Sequence, residues 1–331
     1  MGDFIGKQKK EIYSYVDSSK ESMYFGSYPQ TEIKDETLIM ELNKKAGILP
    51  NKENTYNWID YGYYIRGKIK SYMYYIDIEL DGNKYRGVYF TQYRPECTTE
   101  SSICENSFQD HNGYNTNTTY WFKYESIKWN ILKAENNKVL IISDLILDSQ
   151  DYYYSTSSRS SATDYQGNST TDTVYSNNYG YSHIRSWLNE TFYETAFSTL
   201  EKEIIETTIV DNSINSTIVD HDPETAESIN KYVCSNTSDK MFLLSYKEAA
   251  IYYSSDSERQ AKGSDYAKSQ GLYVSSDSSH SGYSEYWLRS PGYDCDSGAW
   301  DVDYDGVGGY GYGGVVKADD GVRPVCWVDL K

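Results

Sequence analysis

Long apolar runs, positive charge, histidine and paired cysteines are all scarce in this 331-residue chain, and each scarcity excludes something. No run approaches the roughly eighteen apolar residues of a membrane-spanning helix, so membrane insertion is not expected. The opening stretch, MGDFIGKQKKEIYSYV, lacks the apolar middle of a secretory signal. The chain is therefore expected in the cytoplasm or, where an export signal has been removed, outside the cell or on a cell or virion surface. Against 49 acidic residues stand only 31 basic ones, a formal charge of -18. Such a polyanion repels phosphate, whose neutralisation dominates nucleic-acid affinity, so nucleic acid is a poor partner. The four histidines are scattered and no CxxC pair occurs, which argues against structural zinc; no metal and no cofactor are expected. Neither a glycine-rich strand-to-helix turn of the nucleotide-binding kind nor a GxSxG elbow occurs, and His183, His221 and His280 are read as ordinary residues rather than triad members. The cysteines, Cys97, Cys104, Cys234, Cys295 and Cys326, are odd in number; the spacing in CTTESSIC suits a disulfide-closed loop and two free thiols equally.

What the chain has in excess is tyrosine, 37 residues of it. Tyr offers a large, fairly rigid contact surface with a polar tip, which suits binding loops and also fills half-wet strands. The length suits one main domain, residues 23–331, behind a polar, lysine-rich extension or linker at 1–22. YFGSYPQTEI reads as a short strand with a turn at Pro29, and LIMELNKKAGIL as a helix. SYMYYIDIEL and YRGVYFTQY alternate as strands around an Asp81–Gly82 turn. IKWNILKAENNKVLIISDLIL is a hairpin turning at Asn136–Asn137, residues that tolerate positive φ. Residues 96–118 and 152–182 read as long loops carrying little core. Ile184, Trp187, Leu188 and Phe192 share one helical face behind an N-cap at Ser182, and Ser198 with Glu201 forms a capping box for a second short helix ahead of Leu200, Ile204 and Ile205. KMFLLS, YWL and VRPVCWV are further strands. The fold class is α+β: mostly antiparallel strands, two short helices and long loops.

Near the C-terminus, between YWL and VCWV, lies a tract at 290–325 of Tyr, Asp, Gly and Ser. Within it, DVDYDG places Asp301, Asp303, Asp305 and Gly306 like the opening of an EF-hand loop, but position twelve of that loop is Tyr312 rather than a bidentate Glu. Strand alternation would still set Asp301 and Asp303 on one face. For the paired carboxylates of glycoside hydrolysis, one pKa must be raised by burial, and an exposed, glycine-diluted tract offers no such burial.

The segments YWLRSPG, at Tyr286 to Gly292, and GVRPV, at Gly321 to Val325, resemble a family of uncharacterised bacterial proteins with a C-type-lectin-like fold. More broadly the chain is similar to the variable proteins of diversity-generating retroelements and to the fold shared with formylglycine-generating enzymes. The likeness extends upstream through YFGSYPQTE, YRGVYF, YWFKYESIKW, LILDSQDYYY, HIRSWLNETFY and NKYVCSNTSDKMFLLS, over residues 24–331. In such variable proteins the resemblance implies mutated template adenines, so that Asn codons become many residues but never Lys, Glu, Gln, Met or Trp. From Tyr293 to Asp320 there are seven Asp and no Glu, and Trp300 and Lys317 alone break the rule, as fixed scaffold would; turns also favour Asp and Gly on their own account. By the same resemblance Arg289 and Arg323 hold the bracket by pairing with buried carbonyls or acids. The cysteine-bearing motif of the oxidase relatives is missing, since Cys295 and Cys326 do not reproduce it.

The reading that follows is a non-enzymatic binding protein, phage-associated or surface-displayed, whose apolar bracket lies in the core and frees the tract to face solvent. Its ligand-binding residues are Tyr293, Asp294, Asp296, Ser297, Asp301, Asp303, Tyr304, Tyr310, Tyr312, Asp319 and Asp320, and its partner is a protein or a glycan. Two alternatives stay open: a calcium-dependent carbohydrate-binding lectin built on Asp301, Asp303 and Asp305, and a hydrolase or oxidase using carboxylates in a cleft.

Overall fold

Alternation of large and small, apolar and polar side chains builds the first half of the chain into strands, and the computed structural model describes residues 16–17, 22–65, 68–70, 72–94, 108–218, 230–308 and 313–330. In chain order the elements are β1 (Val16–Asp17), β2 (Ser22–Glu32), α1 (Glu36–Ala46), β3 (Ile59–Asp60), β4 (Tyr63–Ile65), β5 (Lys68–Lys70), β6 (Met73–Leu80), β7 (Asn83–Phe90), α2 (Phe108–His111), β8 (Thr119–Glu135), β9 (Lys138–Ser143) and β10 (Asp148–Ser149). There follow β11 (Ala162–Thr163), β12 (Ser169–Thr170), α3 (His183–Trp187), α4 (Tyr193–Ala196), α5 (Thr199–Ile204), β13 (Thr208–Val210), β14 (Thr237–Asp239), α6 (Tyr246–Tyr252), α7 (Asp256–Arg259), β15 (Ala261–Lys262), α8 (Asp265–Ser269) and β16 (Tyr283–Ser284). The last segment holds β17 (Tyr286–Pro291), β18 (Gly298–Val302), β19 (Gly313–Gly314), β20 (Gly321–Val322) and β21 (Val325–Asp329).

The fold is thus mixed α and β, with mostly antiparallel strands and few helices. An eight-stranded sheet runs β1-β2-β8-β7-β6-β3, with β9 joined to the far end of β8 and β21 to β9. The 17-residue β8 serves three partners in turn: its start pairs with β7, its middle with β2 and its end with β9. Period-two alternation sorts its faces. Tyr74, Ile76, Ile78 and Trp121 meet Leu42 and Ala46 of α1, whereas Met73, Val88, Phe90 and Phe122 enter the larger core on the other side. The Asp35 carboxylate caps α1 by accepting from the Leu38 N–H at 2.9 Å, a contact of the kind typically worth about 1 kcal/mol. Both expected hairpins turn where the φ-tolerant residues stand: Asp81 and Gly82 have φ of 50° and 75°, and Asn136 and Asn137 of 50° and 62°.

A five-stranded sheet, β10-β20-β17-β18-β19, holds the C-terminal segment. Its pairs are antiparallel except for Tyr286 against Gly321. Gly321 has no alternative, because a Cβ there would lie 2.3 Å from Ile146 Cγ2 and 3.0 Å from the Glu285 carbonyl.

Several local expectations are corrected. Pro29 does not turn the chain; it sits inside the 11-residue β2, opposite Tyr124 of β8 and beside a register shift. More than two helices form, because Ser245 and Glu248 make a capping box for α6 and the Ser264 hydroxyl accepts from the Ala267 N–H to start α8. Ser182 and the Ser198–Glu201 box cap α3 and α5 as read, and a π-type turn, Leu188–Phe192, joins α3 to α4. Of KMFLLS only Phe242 bridges, to Val325. The loop at 152–182 does contribute core, since Tyr152, Tyr153, Val174 and Tyr179 are buried. Of residues 1–22, Val16 and Asp17 pair with the start of β2. Cys97, Cys104 and His221 lie outside the described residues.

Candidate functional site

The C-terminal tract is not the solvated display that its composition suggests. Every residue of β18 is buried, and Ala299, Trp300, Val302, Val315, Ala318 and Val322 supply apolar surface in the core. Trp300 lies against Tyr246, ring centroids 4.3 Å apart. Three of the expected binding residues go inward with them: Asp301 is 6 %, Asp319 9 % and Asp320 0 % exposed. Their solvation was expected because the apolar bracket was to form the core and free the tract; instead the tract itself supplies core strands and carries these acids inward.

That register also makes a cluster. Glu285 directly precedes β17, Asp301 stands opposite Trp287, and Asp320 precedes Gly321, which pairs with Tyr286. Residues two apart on a strand share a face, as do residues directly opposite, so Glu285, Trp287 and Asp301 lie on one side of the sheet. One carboxylate oxygen from each of Glu285, Asp301 and Asp320 lies within 4.8 Å of the others. The Lys317 ammonium donates to Asp320 Oδ1 at 3.3 Å and to Glu285 Oε2 at 3.5 Å, while Asp320 Oδ2 is buried without a hydrogen-bond partner. Burial, and then repulsion from Asp320, pushes the Glu285 carboxyl up to about 8 and Asp319 up to about 6. The same two causes, with Glu285 added, hold Asp301 well above the usual carboxylate range. Attraction to Asp320 raises Lys317 despite its burial. The expectation that nothing in this tract would raise a carboxyl pKa is therefore wrong, the reason being burial that composition conceals.

Asp303 and Asp305 do not join this cluster as ligand sets of the DVDYDG pattern would have them. Asp303 Oδ1 accepts from the Tyr304 N–H at 2.7 Å and Asp305 Oδ1 from the Val307 N–H at 2.8 Å, so both secure their own turn. Tyr293, Asp296, Ser297, Asp303 and Tyr304 are half-buried and Asp294 is exposed; Tyr310 and Tyr312 lie outside the described residues. The tip 293–297 is held from behind: the Asn177 N–H donates to Asp296 O at 3.2 Å, and Asn177 Nδ2 donates to Cys295 O and Gly298 O, each at 2.9 Å. Arg289 and Arg323 are buried and bind carbonyls. Arg289 donates to Leu243 O at 2.7 Å and to both oxygens of Glu248, and Arg323 to Ser143 O at 2.9 Å.

Immediately after Asn177 the chain enters the wall of a polar cleft of about 750 Å³ that sequence reading missed. Asp164, Gln166, Asn168, Thr173, Asn178, Tyr181, Asn236 and Thr237 are among its lining residues. At its centre Arg185, on α3, ties three segments together. Its Nε donates to Asp239 Oδ1 at 2.8 Å, and Nη1 to Asp164 Oδ2 at 3.1 Å and Gly180 O at 2.6 Å; Nη2 donates to Gln166 Oε1 at 3.2 Å. The charge of the guanidinium is thereby matched within the wall, leaving amides, hydroxyls, the exposed Asp172 carboxylate and the apolar Val174, Ile214 and Val233 on the lining. Asn178 Oδ1 is buried there without a partner. Cys234, also in the lining, is a free thiol whose pKa burial pushes up to about 11, so it is protonated at neutral pH. The visible signal was the Ser/Thr/Asn richness of 155–178 and 235–238, which reads as plain loop without the third dimension.

A smaller pocket of about 270 Å³ lies between Tyr28, Tyr61, Tyr75, Arg86, Asp148 and His183. Burial raises the Asp148 carboxyl, yet its oxygens already accept from the Tyr28 hydroxyl at 2.7 Å, the Ser149 N–H at 2.7 Å and Gln150 Nε2 at 3.0 Å. Arg86 is engaged by Asp77 through two 2.8 Å contacts, and His183 Nδ1 pairs with Asp151 at 3.2 Å rather than with a serine or cysteine. His280 sits beside Asp277 in a loop.

A mixed fold with a polar cleft and a buried acid cluster on its C-terminal sheet is the class that these features define. Residues 136–330 match the family described as Domain of unknown function (DUF6273), and the chain belongs to that family. The match opens at the Asn136–Asn137 turn and so takes in both the cleft and the cluster. No curated protein and no solved structure matches the chain.

Proposed function

We propose that this is a non-enzymatic binding protein on a C-type-lectin-like scaffold that takes a neutral glycan in the polar cleft. The observation that carries the reading is the cleft's lining: side-chain amides and hydroxyls converge around the buried, unpartnered Asn178 Oδ1. Sugar hydroxyls both donate and accept, and so do such walls taken together. Val174, Ile214 and Val233 add apolar surface for the C–H faces of a sugar, and the Arg185 charge is matched by Asp164 and Asp239, which disfavours a strongly anionic ligand. Tyr181 offers one aromatic face for stacking on a pyranose. A cleft of about 750 Å³ also lies within the range of ligand sites.

In this reading the tip 293–297, held by Asn177 next to the lining residue Asn178, is the part of the tract that varies, as in the variable proteins that the chain resembles. Asp301, Asp319 and Asp320 drop out of the contacting set because they are buried. The test is a glycan array followed by titration calorimetry of whatever is retained. Thr173→Trp and Ser235→Trp, on the exposed rim, fill the mouth without touching the core. Binding is expected to fall at least tenfold with thermal stability unchanged. Retention of no neutral glycan by the wild type, or undiminished affinity in the double variant, would refute the reading.

A further inference from the structure

We propose that Glu285, Asp301 and Asp320 form a calcium site that pins β18, β17 and β20 together. The argument starts from the register, which brings one oxygen of each carboxylate within 4.8 Å of the other two from positions far apart in the chain. These are hard oxygen donors of the kind that bind Ca²⁺ or Mg²⁺. Two oxygens on opposite sides of a calcium ion stand about 4.6–5.2 Å apart, twice the Ca–O distance, so the observed limit fits without rearrangement; across magnesium the span is about 4.2 Å.

A cluster of acids alone would prove nothing, since acids can share protons or a lysine. Here an independent observation points to a cation. Asp320 is wholly buried, and its Oδ2 has no hydrogen-bond partner, although its Oδ1 accepts from Lys317 at 3.3 Å. A buried carboxylate oxygen left bare is destabilising, and a bound cation removes that cost. Lys317 supplies one positive charge against three carboxylates, with Asp303 and Asp319 close enough to add to the negative field. Glu285, the least buried of the three with its side chain 18 % exposed, gives an ion its way in from solvent. The site is separate from the polar cleft, so this inference does not rest on the glycan reading.

The test uses the full chain at neutral pH. Thermal unfolding is followed after exhaustive chelation, then on addition of CaCl₂ and, separately, MgCl₂. Calcium is expected to raise the melting temperature saturably and magnesium to raise it less. Terbium emission, sensitised by Trp287 on the same face, is expected to appear on titration and to be displaced by calcium. Glu285→Gln and Asp301→Asn should abolish both responses, and the terbium readout serves even if a variant is less stable. Lys317→Met should tighten calcium binding about fifteenfold, the repulsion between one unit charge and a divalent ion roughly 5 Å away in a water-like dielectric. Identical melting in chelator and calcium with no terbium signal overturns the proposal. So does a cation response that survives in the Glu285→Gln, Asp301→Asn double variant, or a wild type stabilised by acidification and indifferent to calcium, since the acids would then share a proton instead.

Discussion

Replacing Arg185 by methionine tests whether charge pairing holds the cleft wall. The substitution removes four donors and leaves Asp239, whose side chain is wholly buried, with two neutral ones: the Tyr165 hydroxyl at 3.1 Å and the Thr237 hydroxyl at 2.6 Å. Asp164 fares better, because the Asn168 N–H at 2.8 Å, Asn168 Nδ2 at 3.0 Å and the Gln166 N–H at 3.0 Å still bind it. The loss is therefore dominated by one buried carboxylate without its counter-charge, about 3–5 kcal/mol. Methionine keeps most of the side-chain volume, so a cavity adds little. Urea denaturation monitored by circular dichroism gives the difference directly. Asp239→Asn removes the stranded charge, so the Arg185→Met, Asp239→Asn pair should recover about 2 kcal/mol relative to the sum of the single variants. A single-variant loss below about 1 kcal/mol, or strict additivity in the double variant, would show that the wall stands by packing alone and that Arg185 is incidental to it.

Two further outcomes follow from the same coordinates. Burial alone would lower the His183 pKa, but the Asp151 carboxylate holds it above the ordinary 6.5; burial would raise Asp151, yet His183 and Arg94 bring it below 3.8. The His183 contribution is fully present below pH 6.5 and fades as pH rises through its raised folded value, whereas that of Asp151 is present above 3.8 and fades only as pH falls through its lowered one. The melting-temperature difference between wild type and His183→Gln should accordingly be largest near about pH 5 and shrink toward about pH 9; a difference flat across that interval would count against the pairing. At the turn of DVDYDG, Gly306 has φ of +86° and a Cβ there would stand 1.8 Å from the Asp256 carbonyl oxygen, so Gly306→Ala should cost upwards of about 1–3 kcal/mol in urea denaturation, and full stability would contradict the local geometry.

Where local chemistry decides structure, the sequence was legible. Asn136–Asn137 and Asp81–Gly82 turn hairpins because positive φ is cheap for those residues, and Ser182 and Ser198 start helices because their hydroxyls can reach an orphan N–H. The same logic was available at Ser245 and Glu248 and would have found α6. The acid cluster was not legible in this way. Glu285, Asp301 and Asp320 meet only because one antiparallel register and one parallel contact place them together, and nothing near any one of them in the chain announces the other two. DVDYDG advertised a local grouping instead, but β18 ends at Val302, so Asp303 and Asp305 fall in the turn and are consumed there. The cleft was hidden for a related reason: Asp164, Arg185 and Asp239 come from three separated segments, and a loop composition says nothing about which loops face each other.

The polarity of the C-terminal tract then has a physical explanation different from display. An internal strand needs close approach and filled space more than it needs aliphatic residues as such. Gly321 permits the close approach, and Trp300 with Tyr246 and Tyr293 fills the space with rings, so few Leu or Ile are required. Burying carboxylates in such a sheet is costly unless they are neutralised, by a proton, by Lys317 or by a metal cation. The β17-β18-β20 contact is therefore conditional on what balances the charge of Glu285, Asp301 and Asp320. The tip at 293–297 connects β17 and β18, so its position rests on the same contact.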